Sequence, residues 1–327
     1  MPCRSGIAGR ICIPCNFALN IIEVAMKKLT IATTQYGLTD ILTEKQFWNG
    51  IEEKVRDAAE QGAAMIVFPE YLTAHLLSLQ PSMLHDEACY FLDRKTEEYM
   101  GFFRRLSQAE GIAILAGTHI CKAEERPAGT GVEAEEYVNK AFLFFPDGRI
   151  ETQSKVHLTP EEQIRWPLVA GDDLNVFETE WGKMAILTCY DIEFPELARA
   201  AALRGVEMIL CPSYTDSSFG YHRVRFCCQA RAVENQLYVV LSGLVGALSE
   251  ERPQVDTGFS QAGVFTPCDL PFEPDGILQI GETNLDMTVL AEVDFRDLRE
   301  NRAHGAVAPF FDRRPDLYEN EHRKTEH

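Results

Sequence analysis

Short apolar runs and segments of helical period alternate along most of the chain. Residues 64–68 read AMIVF, a continuous apolar run of the kind found in strands buried on both faces. Before this run, Phe47, Ile51 and Val55 recur at helical spacing behind a capping-box sequence, TEKQ, at residues 43–46. The same reading predicts strands at 28–35, 64–68, 112–117, 138–145, 150–157, 182–188, 207–211 and 237–244, and helices at 47–62, 95–110, 195–204 and 222–236.

This alternation predicts a layered α/β domain, with two sheets packed face to face and helices outside. One internal echo supports two equivalent halves. A strand–helix–strand unit ends at VFPEY (67–71), and a second ends at LCPSY (210–214). The echo is short, so chance similarity between strand ends stays open. If it is genuine, both loops lie on one edge of the molecule.

The two ends of the chain differ from its middle. Residues 1–25 precede a second methionine, Met26, where an opening strand begins, so we interpret them as a disordered or adventitious extension. An unrecognised targeting segment is the alternative. Residues 26–302 carry no linker and form one predicted domain. Residues 303–327 are charged and irregular, a tail that is either loose or lies across a partner subunit.

Charge and cysteine usage narrow the classes of partner. With 31 basic and 50 acidic residues, the net charge of −19 disfavours nucleic acid and anionic membrane as partners. The ten cysteines are scattered, as reduced thiols of a cytoplasmic protein are. The C-x-x-C pair Cys12 and Cys15 has no second ligand pair at a suitable spacing, so no metal is expected.

Three residues at strand ends are candidates for chemistry. Cys189 follows an apolar strand and precedes a helix, a junction that suits a nucleophile beside outward-facing backbone N–H groups, and a helix N-terminus favours the thiolate. Glu70 directly follows a buried strand and a proline, and Lys155 lies late in a hairpin strand. Each has an ordinary alternative: a buried structural cysteine, a solvated carboxylate and an exposed lysine.

Together, these segments resemble a known signature. The sequence contains Phe68-Pro69-Glu70, then Lys155-Val156-His157, then Cys189-Tyr190-Asp191 followed by Pro195-Glu196. In this order they are similar to the motifs of the nitrilase superfamily, the carbon–nitrogen hydrolases. The resemblance covers residues 26–302. It implies a four-layer α-β-β-α sandwich, a Glu-Lys-Cys triad, no cofactor or metal, and a homodimer.

The resemblance also implies roles for these residues. Glu70 would take the proton of Cys189, the thiolate would attack an amide carbon, and water would later hydrolyse the thioester. The ammonium of Lys155 and the backbone N–H of Tyr190 would hold the negative charge on the substrate oxygen.

Further residues enter through the same resemblance. A second active-site carboxylate is expected at Glu162, with Glu161 as its competitor. Ser213 and Tyr214 would line the pocket, although an ordinary turn is the alternative.

The cysteine motif also bears on the substrate. CYD followed by FPEL looks like the amidase branch, including omega-amidase-like members, so a small-molecule amide is expected. Glu193 stands where those members tend to be basic. If it faces the pocket, it would repel a distal carboxylate and tolerate an amine, which keeps an N-carbamoyl amine as the second candidate. A nitrile substrate, a soluble acyltransferase and a non-catalytic binding protein rank lower.

Overall fold

The computed structural model describes residues 28–124 and 136–318. The predicted extension, residues 1–25, lies outside the described residues, as does the predicted tail from residue 319. The strands are β1 Leu29–Leu38, β2 Met65–Val67, β3 Ala113–Lys122, β4 Tyr137–Phe144, β5 Ile150–Ser154, β6 Phe177–Glu178, β7 Lys183–Ile186, β8 Met208–Ser213, β9 Tyr238–Ala247, β10 Thr257–Gly258, β11 Gly263–Phe265, β12 Ile277–Ile280 and β13 Met287–Val293. The α-helices are α1 Glu44–Glu60, α2 His85–Asp93, α3 Thr96–Glu110, α4 Pro160–Arg165, α5 Pro195–Leu203, α6 Ser218–Asn235 and α7 Phe295–His304, and 3₁₀ helices cover Leu72–Leu79 and Cys189–Glu193.

The first helix forms where the apolar spacing and the capping box predicted it. The Thr43 hydroxyl accepts from the Gln46 backbone N–H at 3.2 Å, and the Gln46 side chain accepts from the Thr43 N–H at 3.2 Å. Phe47, Ile51 and Val55 are buried on its inner face. Such a cap stabilises a helix by about 0.5–2 kcal/mol, and the buried stripe adds the packing that an isolated helix lacks.

The strands form two halves of one hydrogen-bonded sheet, in the order β5-β4-β3-β2-β1-β9-β8-β7-β6. The halves meet where β1 and β9 run parallel, pairing Gln35 to Leu38 with Gly243 to Gly246. The two packed sheets of the prediction are these two halves.

Alternating side chains divide the core into layers. Met65 and Val67 of β2 belong to a cluster shared with β7, β8 and β9, whereas Ile66 packs with α1, α2 and α3. On the other half, Ile209 of β8 packs with α5 and α6. Because side chains alternate across a strand, each half is apolar on both faces. The result is the expected α-β-β-α sandwich.

Several predicted boundaries were wrong. The second hairpin strand was predicted to reach residue 157, but β5 ends at Ser154. The Lys155 N–H still donates to the Asn139 carbonyl, whereas the N–H groups of Val156 and His157 donate to the Asp191 carboxylate. Helix α6 begins at Ser218, earlier than residue 222.

In the predicted tail, the Phe310 ring lies near the guanidinium groups of Arg199 and Arg302, 5.6 Å from each, so this part packs on its own chain.

Candidate active site

The two echo segments of the sequence meet at one edge of the sandwich. Glu70 follows β2, Tyr214 follows β8, and the Tyr214 backbone N–H donates to Glu70 Oε2 at 3.0 Å. The rings of Tyr71 and Tyr214 pack edge to face, with centroids 6.0 Å apart. Each half therefore contributes one strand end to the same site.

A bulge in β3 holds the turn that carries Glu70. The Tyr71 N–H donates to Thr118 Oγ1 at 2.8 Å, and the register between β3 and β4 shifts between Leu115 and Thr118. Gly117 lies in this bulge with φ +63°, and a Cβ there would stand 2.0 Å from the Pro69 carbonyl oxygen. Only glycine allows this approach, which places Glu70 at the strand end.

Lys155 is buried, in contrast to the exposed lysine that its segment alone suggests. It directly follows β5, and its Nζ donates to Glu70 Oε1 and to Glu162 Oε1, at 2.8 Å each. Burial alone would lower the pKa of this ammonium, but the carboxylates of Glu70 and Glu162 together raise it. The lysine therefore stays charged at neutral pH.

The second carboxylate at this cation is Glu162. It lies in α4, where its Oε2 accepts from the Thr159 N–H at 2.7 Å, and its Oε1 also accepts from the Tyr71 hydroxyl. Burial opposes ionisation, but Lys155 and the hydrogen bonds from Tyr71 and Thr159 together outweigh it and lower the pKa of Glu162. Glu161, the competitor, is 57% exposed and pairs with Arg165 at 3.5 Å.

Cys189 starts a 3₁₀ helix with φ +48°, a left-handed conformation that is strained for a residue with a side chain. Its thiol is buried and donates to the Tyr214 carbonyl at 3.3 Å. Burial, and next the Glu70 carboxylate, raise the pKa of the thiol well above its usual value, although Lys155 opposes them. The expected helix N-terminal stabilisation of a thiolate does not prevail over burial.

Glu70 is prepared to act as the base for this thiol. Burial raises its pKa more than Lys155 lowers it. Glu70, Lys155 and Cys189 all line one cavity of about 410 Å³. A carboxylate of raised basicity, a fixed cation and a protonated thiol therefore share one cavity.

Comparison with known proteins decides the family. The model of the family described as carbon-nitrogen hydrolase matches residues 30–299. The chain belongs to the carbon–nitrogen hydrolases.

Individual relatives agree with this assignment. The chain is 40% identical over 296 residues to the probable hydrolase YhcX of Bacillus subtilis, covering 90% of this chain but 55% of that protein. It is 25% identical over 311 residues to the omega-amidase NIT2 of Xenopus tropicalis, covering 92% of this chain and all of that one. A solved amidase of the nitrilase superfamily from Nesterenkonia shares the fold, with a TM-score of 0.67 at 21% identity, over 90% of this chain and 97% of the other.

The remaining predicted pocket residues of this carbon–nitrogen hydrolase have different surroundings. Tyr190 and Tyr214 line the cavity. Ser213 is buried beside the thiol, where its hydrogen bond lowers the pKa of Cys189 less than burial raises it. Glu193 faces the cavity, as the substrate argument assumed, but its Oε1 lies 3.5 Å from Arg223 Nε.

Sequence reasoning missed some residues of the site. Asn139, on β4, donates to Glu70 Oε1 at 2.9 Å, and the one available signal was an amide within a mostly apolar strand. Arg231, on α6, is another such residue. Its guanidinium donates to the carbonyls of Ile192 at 3.0 Å and Glu193 at 2.9 Å, so α6 also fixes the 3₁₀ helix that begins at Cys189.

Proposed function

We propose that this chain hydrolyses the C–N bond of a small amide through a thioester on Cys189, releasing ammonia or an amine and a carboxylic acid. The observation that carries the proposal is the pair of 2.8 Å hydrogen bonds from the Lys155 ammonium to two buried carboxylates, in the cavity that contains the thiol. The match to the carbon–nitrogen hydrolase family supports it.

The first half of the reaction forms the thioester. Glu70 accepts the Cys189 proton as sulfur bonds to the substrate carbon, and the carbonyl electron pair moves to oxygen. An ammonium has three N–H donors, and Glu70 and Glu162 accept two of those of Lys155, which leaves the third for this oxygen. When the electron pair returns, the C–N bond breaks, and protonated Glu70 gives its proton to the leaving nitrogen.

The second half returns the enzyme to its starting state. Glu70, again a carboxylate, takes a proton from water while the water oxygen attacks the thioester carbon. The C–S bond breaks, the acid leaves, and Cys189 recovers its proton from Glu70. Glu70 is held for both halves, because its Oε1 accepts from Asn139 and Lys155, and its Oε2 accepts from the Tyr214 N–H.

The outer cavity wall favours substrates without a strong negative charge. Beyond the triad and Glu162, the cavity lining contains four carboxylates, those of Glu161, Glu193, Asp216 and Asp256. It also contains two guanidiniums, those of Arg223 and Arg252, so the net charge of this outer lining is two negative charges. Because Arg223 partly neutralises Glu193, the expected repulsion of a distal carboxylate is weaker than the sequence alone indicated. The remaining charge supports an N-carbamoyl amine as the second candidate.

The proposal is tested by ammonia release from a panel of succinamate-like amides, neutral amides, N-carbamoyl amines and nitriles. Intact-mass measurement after rapid acid quenching should show the acyl group on the wild-type chain. Cys189→Ala should lower turnover at least about a thousandfold. Cys121→Ala is the matched control, because Cys121 is also buried but lies on β3, outside the cavity. Near-normal hydrolysis by Cys189→Ala would refute the proposal.

We also propose a cytoplasmic homodimer. All seven cysteines in the described part of the chain are free thiols, which supports a reducing compartment. Phe219 and Phe226 on α6 are 81% and 61% exposed, which supports an apolar contact between subunits. Within the described residues, no helix is both long and apolar enough to cross a bilayer. Sedimentation equilibrium of the wild type and of Phe226→Ser tests the dimer.

A further inference from the structure

Asp191 is a buried carboxylate to which the proposed reaction gives no role. It lies two residues after Cys189, in the 3₁₀ helix, and its side chain is 1% exposed. A buried carboxylate is costly unless hydrogen bonds compensate its lost hydration. Its contacts therefore show what holds it there.

These contacts join two segments that are distant along the chain. On its own side, Asp191 Oδ2 accepts from the Thr188 N–H at 3.3 Å. Across the site, Oδ2 accepts from the Val156 N–H at 3.3 Å, and Oδ1 accepts from the His157 N–H at 2.7 Å. Val156 directly follows Lys155, and Thr188 directly precedes Cys189. One carboxylate thus contacts the backbone beside both the cation and the nucleophile.

The His157 side chain makes a second contact between the same two segments. His157 Nδ1 is 2.9 Å from Asp191 Oδ1, and the His157 ring stacks on Phe194 with centroids 3.7 Å apart and an interplanar angle of 8°. The Lys155 N–H still donates to the Asn139 carbonyl of β4 at 2.8 Å, but the strand has ended at Ser154, so the sheet does not fix Val156 and His157. Asp191 and the ring stack take over that function.

We propose that Asp191 is a positioning residue, which fixes the Lys155 ammonium relative to the Cys189 thiol by binding the backbone of both segments. This rests on the proposed function, in which Lys155 and Cys189 are the cation and the nucleophile. A displacement of about 1 Å in such a pair can cost about a hundredfold in rate, so a carboxylate that sets their spacing has a direct kinetic effect.

The main test is Asp191→Asn, which keeps the size of the side chain but removes its charge and one acceptor oxygen. We expect kcat to fall about 10- to 100-fold while KM stays within about threefold, because the cation–thiol geometry changes and the outer cavity does not. Alkylation of Cys189 by iodoacetamide, followed by peptide mapping from neutral to alkaline pH, should slow at least about fivefold. A purely structural role would lower the melting temperature without moving these two readouts.

The matched control is Asp269→Asn. The Asp269 carboxylate also accepts from backbone N–H groups, of Leu270 at 2.8 Å and Ala306 at 2.7 Å, but it does not line the cavity. Its kcat and its alkylation rate should equal those of the wild type. Wild-type kcat and alkylation in Asp191→Asn would overturn the proposal, as would equal losses in both variants.

If Asp191→Asn does not fold, a second variant tests the positioning role. His157→Phe keeps the backbone contact and an aromatic ring against Phe194 but loses the Nδ1 contact, and the side chain is 31% exposed, so it should fold. We expect kcat and alkylation to fall about threefold, and wild-type values would overturn the proposal. Alkylation needs no substrate. Slow alkylation of Asp191→Asn would therefore support positioning even if every amide proved inert, an outcome that counts against the proposed function alone.

Discussion

Two groups of charges in the cavity are held in opposite ways. The inner charge cluster, Glu70, Lys155 and Glu162, has side chains between 1% and 4% exposed and ion pairs of 2.8 Å. The rim pair, Glu193 and Arg223, has side chains 18% and 62% exposed and a single long contact of 3.5 Å. Buried charges interact strongly and need partners that compensate their lost hydration. An exposed ion pair is screened by water and stabilises the fold by about 0–1 kcal/mol.

The difference separates chemistry from substrate choice. The inner charge cluster has further neutral partners in Tyr71 and Asn139, so its geometry is fixed before a substrate arrives. The rim pair retains hydrogen-bonding capacity that a substrate could use. Changes in the inner charge cluster should therefore affect both rate and stability, whereas changes in the rim pair should affect preference among substrates.

Lys155→Met should have the largest combined effect on rate and stability, because it removes the cation between two buried carboxylates. We expect kcat/KM to fall about 100- to 1000-fold through loss of the oxyanion donor. The free energy of unfolding should fall by about 3–5 kcal/mol, since an uncompensated charge is left buried. Ammonia release and urea unfolding measure the two effects.

Lys183→Met is the control for this loss. Lys183 pairs with Glu178 at 2.9 Å, with side chains 44% and 79% exposed, so its removal should leave turnover unchanged and cost at most about 1 kcal/mol. Equal destabilisation by the two substitutions would contradict the view that burial makes the inner charge cluster different.

Glu70→Gln tests the base while keeping the shape of the side chain. We expect kcat to fall about 10²- to 10⁴-fold, the usual contribution of general base catalysis. In the proposed reaction the Glu70 carboxylate is the active form. Because burial raises its pKa, we expect kcat/KM to be lost as the pH falls through a value above 4.5. A pH–rate profile checks this sign. Lys155 competes with burial at Glu70, and an acid limb at or below 4.5 would show that Lys155 prevails.

The same contrast explains what the sequence could predict. Glu70, Lys155 and Cys189 follow strands in short motifs, so local pattern and resemblance were enough to find them. The burial of Lys155 could not be predicted, because it depends on two carboxylates that reach it from other elements, Glu70 after β2 and Glu162 in α4. The layered fold followed from alternating apolar runs, whereas β10 to β13 are short or mixed in polarity, and no pattern indicated them.

Glu162→Gln separates the two adjacent carboxylates of α4. Because Glu162 accepts from Lys155 and Glu161 is solvated, we expect Glu162→Gln to lower kcat/KM about 10- to 100-fold, the value of a charged hydrogen bond. Glu161→Gln, its matched control, should stay within about twofold of the wild type. The reverse order, measured with the best amide of the panel, would assign the second carboxylate to Glu161.

The smallest effects are expected at the rim pair, where substitutions should change the preference among substrates. Glu193→Gln leaves Arg223 without its anionic partner, so kcat/KM for amides with a distal carboxylate should rise about three- to tenfold relative to amides with a distal amine. Arg223→Gln should shift the ratio the other way, because Glu193 then stands unpaired. Both variants should unfold within about 0.5 kcal/mol of the wild type, since the pair is largely screened. A fall in kcat that is uniform across substrates would instead connect the rim pair to the chemistry, through the Glu193 carbonyl that Arg231 binds.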